Sequence, residues 1–166
     1  MLLTLPTLSI TPQSDHEEWC WASVTAGISQ LLDNRAYSLI DIVQLVVPTC
    51  SGNEDPACEI PWPLADSLNT MHHLDHSVGG GIPFSDIQQA IKEKHLPVAI
   101  GITYSTEEGA ILHYCVIKGC SVDDDNMDLL LLNPALAVPC EYRLSYDDLT
   151  EGSNLNAAWT DSFYVK

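Results

Sequence analysis

Gln13-Ser-Asp-His-Glu-Glu-Trp-Cys20-Trp-Ala-Ser23 runs directly into a segment where Trp21, Val24, Ile28, Leu31 and Leu32 recur at three- and four-residue steps. That is the period of an α-helix with one buried face, and it predicts a helix over 20–33 ending near Asp33-Asn34. Cys20 then occupies the first turn. There the backbone N–H groups have no intrahelical partner and the helix dipole is positive, and both features favour a thiolate. In such a place a cysteine pKa can fall from ~8.5 into the range ~3.5–7.5, above all beside an imidazolium. Seven residues upstream, the amide of Gln13 is a candidate second donor beside the Cys20 backbone N–H, and together they would form an oxyanion hole. Nothing close by supplies a base.

Outward from this segment, the chain divides into two kinds of pattern. Residues 1–12 read as extended, with Pro6 and Pro12 excluding a helix. A short helix fits Ser38–Val47, capped by Ser38, with Asp41 in its first turn and Pro48 beyond its end. Residues 48–63 form a loop rich in Pro, Asp and Cys. A third helix fits Pro63–Met71, Gly79-Gly80-Gly81 marks a turn, and Ser85 caps a fourth helix over Asp86–Lys94. After Pro97 the period changes to two, interspersed with continuous apolar runs. Val98–Tyr104, His113–Lys118, Leu129–Asn133, Cys140–Leu144 and Ser162–Val165 read as strands. Helices first and an antiparallel sheet second is an α+β order. The expectation is one domain over 1–166, a helical part at about 13–96 and a β part at about 97–166, with a cleft between them.

The β part offers the missing base. His113 opens the strand His-Tyr-Cys-Val-Ile-Lys-Gly119, and the apolar strand Leu129–Leu132 ends in Asn133-Pro134. A histidine at a strand mouth opposite the Cys20 helix is placed to take a thiol proton. An asparagine amide can hold its ring in one tautomer. In chain order the candidates are Gln13 as oxyanion donor, Cys20 as nucleophile, His113 as base and Asn133 as orienter. Trp19 and Trp21, on either side of Cys20, are candidate substrate contacts. Trp62, between Pro61 and Pro63, reads as a packing element.

These residues resemble a known family. The block Gln13…Trp-Cys-Trp-Ala-Ser23 is similar to the nucleophile motif of papain-like cysteine peptidases, and to a bacterial branch of effector proteases and interbacterial toxins whose signature reads Gln…Trp-Cys-Trp-Ala-Ala. The Cys50–Cys58 loop, the strand leading to Gly119, the strand ending in Asn133-Pro134 and Leu-Ser-Tyr-Asp-Asp-Leu149 have counterparts there. The resemblance implies a two-lobed papain-like fold and a Cys20–His113–Asn133 endopeptidase. It implies a protein substrate, a cognate immunity or inhibitor protein, and delivery as part of a longer secreted chain. The chain departs from the pattern in three places: Gln13 lies seven residues before Cys20 where six is usual, Ser23 replaces alanine, and the third member is Asn where many of the branch carry Asp. The same triad also suits a glutamine deamidase or transglutaminase, and an acidic binding module is the non-catalytic alternative.

Composition narrows the partners. Twenty-three acidic residues against six basic ones give a net charge of −17, and 46% of residues are hydrophobic. This field repels nucleic acid and anionic membranes and attracts basic polypeptides. No apolar run reaches the ~18 residues of a membrane span. Met1–Pro6 lacks the basic and apolar regions of a signal peptide, which leaves a cytosolic protein or a domain of a longer chain. Of the six cysteines, Cys50 and Cys58 are the expected disulfide. Cys115, Cys120 and Cys140 are expected in or beside strands, with their pairing open. No cofactor is implied. His72 and His76, four apart, would share a helix face and with Asp75 could hold a metal. No glutamate follows the first histidine as in a zinc-protease helix, and the segment runs into Gly79–Gly81, so His72–His76 reads as an exposed loop rather than a metal site.

Overall fold

A computed structural model describes residues 1–152 and 156–166. Helix α1 spans Cys20–Asp33, α2 Leu39–Val46, α3 Leu64–Thr70, α4 Phe84–Gln89 and α5 Tyr146–Glu151. The strands are β1 Leu2–Thr4, β2 Leu74–Gly79, β3 Val98–Thr106, β4 Gly109–Asp123, β5 Asn126–Leu132, β6 Glu141–Ser145 and β7 Ala157–Val165. The strands form one antiparallel sheet in the order β2-β7-β3-β4-β5-β6, with β1 added to β4 by pairing Leu3 with Cys120. This is the α+β architecture expected from the pattern change at Pro97.

Helix α1 is more deeply enclosed than its periodicity predicts. Cys20 to Ser29 are all buried, while Leu31 and Leu32 remain only half-buried. Two polar residues inside this helix find partners across it: Ser23 Oγ donates to the Thr11 carbonyl, and Thr25 Oγ1 meets Ser67 Oγ of α3 at 2.7 Å. Ser29 Oγ is buried without one. Gly27 permits the N-terminal segment to cross the helix, because a Cβ there would lie 2.6 Å from both Ser9 O and Ile10 Cγ2. Asn34 ends the helix in the left-handed conformation. The helix is a central rod, not a surface element.

Helix α2 carries the capping box its sequence announces, with Ser38 Oγ accepting from Asp41 N–H and Asp41 Oδ2 from Ser38 N–H. Two expectations are corrected. Ser85 lies inside α4, which starts after Pro83 and continues as a wide π turn over Ala90–Lys94. His72–Gly79 forms neither a loop nor a helix face. His72 takes a positive φ, and Leu74–Gly79 pairs with β7, so His76 stacks on Tyr164 at 4.4 Å. The segment Tyr146–Glu151 is helical, capped by Ser145 Oγ. Cys50 and Cys58 are joined as a disulfide, and Cys115, Cys120 and Cys140 are buried free thiols.

Candidate active site

Cys20 is the first residue of α1, and Trp19 before it makes no side-chain cap. The first helical hydrogen bond recorded there runs from Ser23 N–H to Trp19 O at 3.0 Å. The N–H groups of Cys20 and Trp21 are therefore left to face the sulfur, joined by the Tyr114 N–H from β4, and all three draw the thiol pKa down. Burial opposes them and is the larger effect, and Glu18 adds to it, so the Cys20 thiol is pushed above its ordinary value. This reverses the lowering expected from helix position alone. The first turn of α1 is buried under β4, and the solvent it has lost outweighs the helix end.

His113 arrives from the opposite side on β4, at the point where the strand passes from exposed (Gly109–Leu112) to buried (Tyr114–Ser121). Its Nε2 lies 2.7 Å from Asn133 Oδ1. The same Oδ1 accepts the Ala135 backbone N–H at 2.9 Å, which fixes the oxygen end of the amide toward the imidazole. Nε2 must therefore carry a hydrogen, and Nδ1 is left with the free lone pair. Burial lowers the His113 pKa and the Asn133 contact raises it less, so the net direction is down. The resting imidazole is neutral and has one basic nitrogen.

Cys20 and His113 share one cleft of about 690 Å³ between the helical part and the sheet. Glu17, Glu18, Trp21 and Pro61–Pro63 line one bank, and Ile111–Tyr114 the other. The sequence thus brings Cys20, His113 and Asn133 to one place from three separate elements. Gln13 lies nearby but is engaged elsewhere. Its backbone N–H bonds Pro134 O at 2.9 Å, next to Asn133, while Nε2 donates to His16 O at 3.1 Å and Glu17 O at 2.9 Å. Its Oε1 is buried without a partner.

The two tryptophans part company. Trp21 lines the cleft and anchors its indole N–H to Ile60 O at 3.0 Å. Trp19 does not line it. It is 2% exposed, stacked under His16 at 3.7 Å, with its N–H on Cys58 O at 2.8 Å. As a substrate contact Trp19 is corrected to a buried brace between α1 and the disulfide loop. Trp62 does more than pack, because it walls the cleft 6.5 Å from Trp21. Its flanking prolines were the signal available in the sequence, since they hold the segment rigid and extended across the cleft. Tyr114, which follows His113, also faces the sulfur, and no pattern in the sequence singled it out. Among the described residues no cluster of three or more His, Cys, Asp or Glu side chains is placed to hold a metal ion.

By sequence, no known protein family matches the chain and no curated protein matches it. By structure, it is similar to procathepsin L3 from the larval midgut of Tenebrio molitor, with a TM-score of 0.59 at 14% identity, covering 99% of this chain and 69% of that one. Procathepsin L2 from the same midgut gives 0.59 at 12% identity, with 98% and 65% covered. A structure from a study of the mite allergens Blo t 1 and Der p 1 gives 0.64 at 10% identity, with 97% and 67% covered. The fold is papain-like, α+β, with helical and sheet parts meeting at a cleft.

Proposed function

We propose that the chain is a cysteine endopeptidase acting through Cys20, His113 and Asn133. The observation that carries this reading is the fixed His113 tautomer: Nε2–H is committed to Asn133, so Nδ1 is the proton acceptor in the cleft that also holds Cys20. As Sγ attacks a peptide carbonyl, its proton passes to Nδ1 and the C=O electrons move onto oxygen. The Cys20 N–H is one donor to that oxyanion. Gln13 Nε2 is the second, and giving it a hydrogen means releasing His16 O or Glu17 O. When the C–N bond breaks, His113 returns the proton to the leaving amine. A water deprotonated by Nδ1 then attacks the thioester and restores the thiol.

The fold likeness supports the reaction class. The role of the domain rests on the resemblance of the Gln13–Ser23 block alone. On that basis it is the effector or toxin part of a longer secreted bacterial chain, cutting a specific target protein and restrained by a cognate immunity protein. The test is digestion of a proteome-derived peptide library, read by mass spectrometry. New peptide termini appear with the wild-type protein and vanish in Cys20→Ala and His113→Ala. Intact peptides carrying only a mass gain of about one unit per site would overturn proteolysis, because one side-chain amide nitrogen has been exchanged for oxygen.

A further inference from the structure

The side-chain amide of Gln13 has both hydrogens engaged, one on His16 O and one on Glu17 O. Carbonyl oxygens only accept, so the nitrogen end of the amide must face the 14–18 turn. The oxygen end is left buried without a donor. The turn itself is held against local preference. His16 N–H closes it on Gln13 O at 2.9 Å, and Ser14 takes a φ of 51°, in the left-handed region that disfavours a serine side chain. An orphaned buried acceptor and a left-handed serine are both unfavourable. Such features persist only where surrounding contacts enforce them.

The enforcing contact comes from His16. Its ring stacks on Trp19 with centroids 3.7 Å apart and planes within 9° of parallel, and its Nδ1 pairs with Glu59 Oε1. Among the described residues, His16 is the one member of 14–18 whose side chain hydrogen-bonds to another element. Glu59 follows Cys58, whose carbonyl accepts the Trp19 indole N–H at 2.8 Å and whose sulfur is bound to Cys50. The His16–Glu59 pair therefore fastens the Gln13 turn to a segment that is itself tied down twice.

Resting on the peptidase reading, we infer that His16 and Glu59 are positioning residues: their contact is a latch that holds Gln13 on the loop carbonyls and keeps the second oxyanion donor out of the hole. Opening the pair lets the 14–18 turn relax and frees a Gln13 hydrogen for the oxyanion. The latch governs turnover and not substrate affinity, because the oxyanion exists only once the carbonyl has been attacked.

Hydrolysis of N-benzyloxycarbonylglycine p-nitrophenyl ester tests this without knowledge of the natural substrate. Sγ forms a thioester as nitrophenol leaves, water then cleaves the C–S bond, and both steps pass through an oxyanion. An oxyanion donor is worth about 10²–10³ in kcat, so Glu59→Ala should raise kcat by about 10-fold or more while KM stays within about twofold of wild type. His16→Ala, which opens the latch from its other end, should act in the same direction. Glu59→Gln keeps a hydrogen bond to His16 without the charge and should fall between wild type and Glu59→Ala. In a Gln13→Ala background, Glu59→Ala should change kcat by less than about twofold, a coupling that separates the latch from mere loss of negative charge near Cys20. The Gln13 side-chain NH₂ should also exchange with solvent about 10-fold faster in Glu59→Ala than in wild type, read by ¹⁵N NMR. Unchanged exchange, an unchanged or lower kcat in both Glu59→Ala and His16→Ala, or a rise that survives in Gln13→Ala overturns the latch. If Cys20→Ala releases nitrophenol as fast as wild type, the peptidase reading itself fails; failure of the latch alone leaves that release dependent on Cys20.

Discussion

Asn133 spends one oxygen on two donors, and that economy sets the pH behaviour of the site. With Nε2–H held, only Nδ1 titrates, and burial has lowered its pKa from the ordinary imidazole value of 6.5. A lowered base pKa keeps the ring neutral at every pH above the lowered value, so the acid limb of kcat/KM should lie below pH 6.5. Asn133→Ala removes the contact that raises the pKa. It should move that limb further to the acid side while kcat falls, because the tautomer is no longer fixed. His113→Ala should cost about 10²–10⁴ in kcat. Cys20 behaves oppositely: its thiol is pushed up, so its iodoacetamide alkylation should keep rising beyond pH 9 with no plateau near neutrality. A plateau well below pH 8 would show a preformed thiolate–imidazolium pair and contradict the electrostatics described here. The meeting of these side chains at one cleft was legible from residue order, Cys20 before His113 before Asn133. The direction of the thiol shift was not, because the burial that sets it comes from β4, more than ninety residues further along the chain.

At the scale of elements, α1 ties the molecule together through contacts on every side. Gly27→Ala introduces a Cβ against Ser9 O and Ile10 Cγ2, and overpacking of this kind costs about 1–3 kcal/mol. Thermal unfolding should then shift down by roughly 2–4 °C per kcal/mol for a domain of this size, with the cleft residues untouched. The Cys50–Cys58 loop is held to the same helix by Trp19 on Cys58 O and Trp21 on Ile60 O. Closing a loop of this length is worth about 2.5 kcal/mol in chain entropy. Reduction should therefore lower the melting temperature by roughly 5–10 °C and loosen the Trp62 wall of the cleft, read as increased Trp fluorescence quenching by acrylamide. Helices announced themselves where caps and periodicity agreed, as at Ser38–Asp41. They failed to do so where the decisive force was tertiary. β2 is a strand because β7 offers it partners, although Gly79–Gly81 argue locally for a turn.

For the whole molecule, a net charge of −17 acts on both stability and encounter. Self-repulsion is screened as the Debye length shrinks from ~10 Å at 0.1 M salt to ~3 Å at 1 M, so the folded state should become more stable as salt rises. The cleft shares the charge through Glu17 and Glu18 on its rim. Across the same salt range, kcat/KM for peptides bearing lysine on the acyl side should fall, while that for neutral peptides stays level; parallel behaviour of the two would remove any role for the field in substrate capture.

The strand order carries a consequence for timing. β7, the last strand, lies between β2 and β3, and β1 is paired to β4. A nascent chain that has emerged only as far as Asn133 holds all three reacting side chains but not the strand that joins the two sides of the sheet. A ribosome-bound chain therefore cannot complete the sheet until synthesis has passed Val165. For the same reason, removing the final strand should cost the fold itself although Cys20, His113 and Asn133 stay unchanged in sequence.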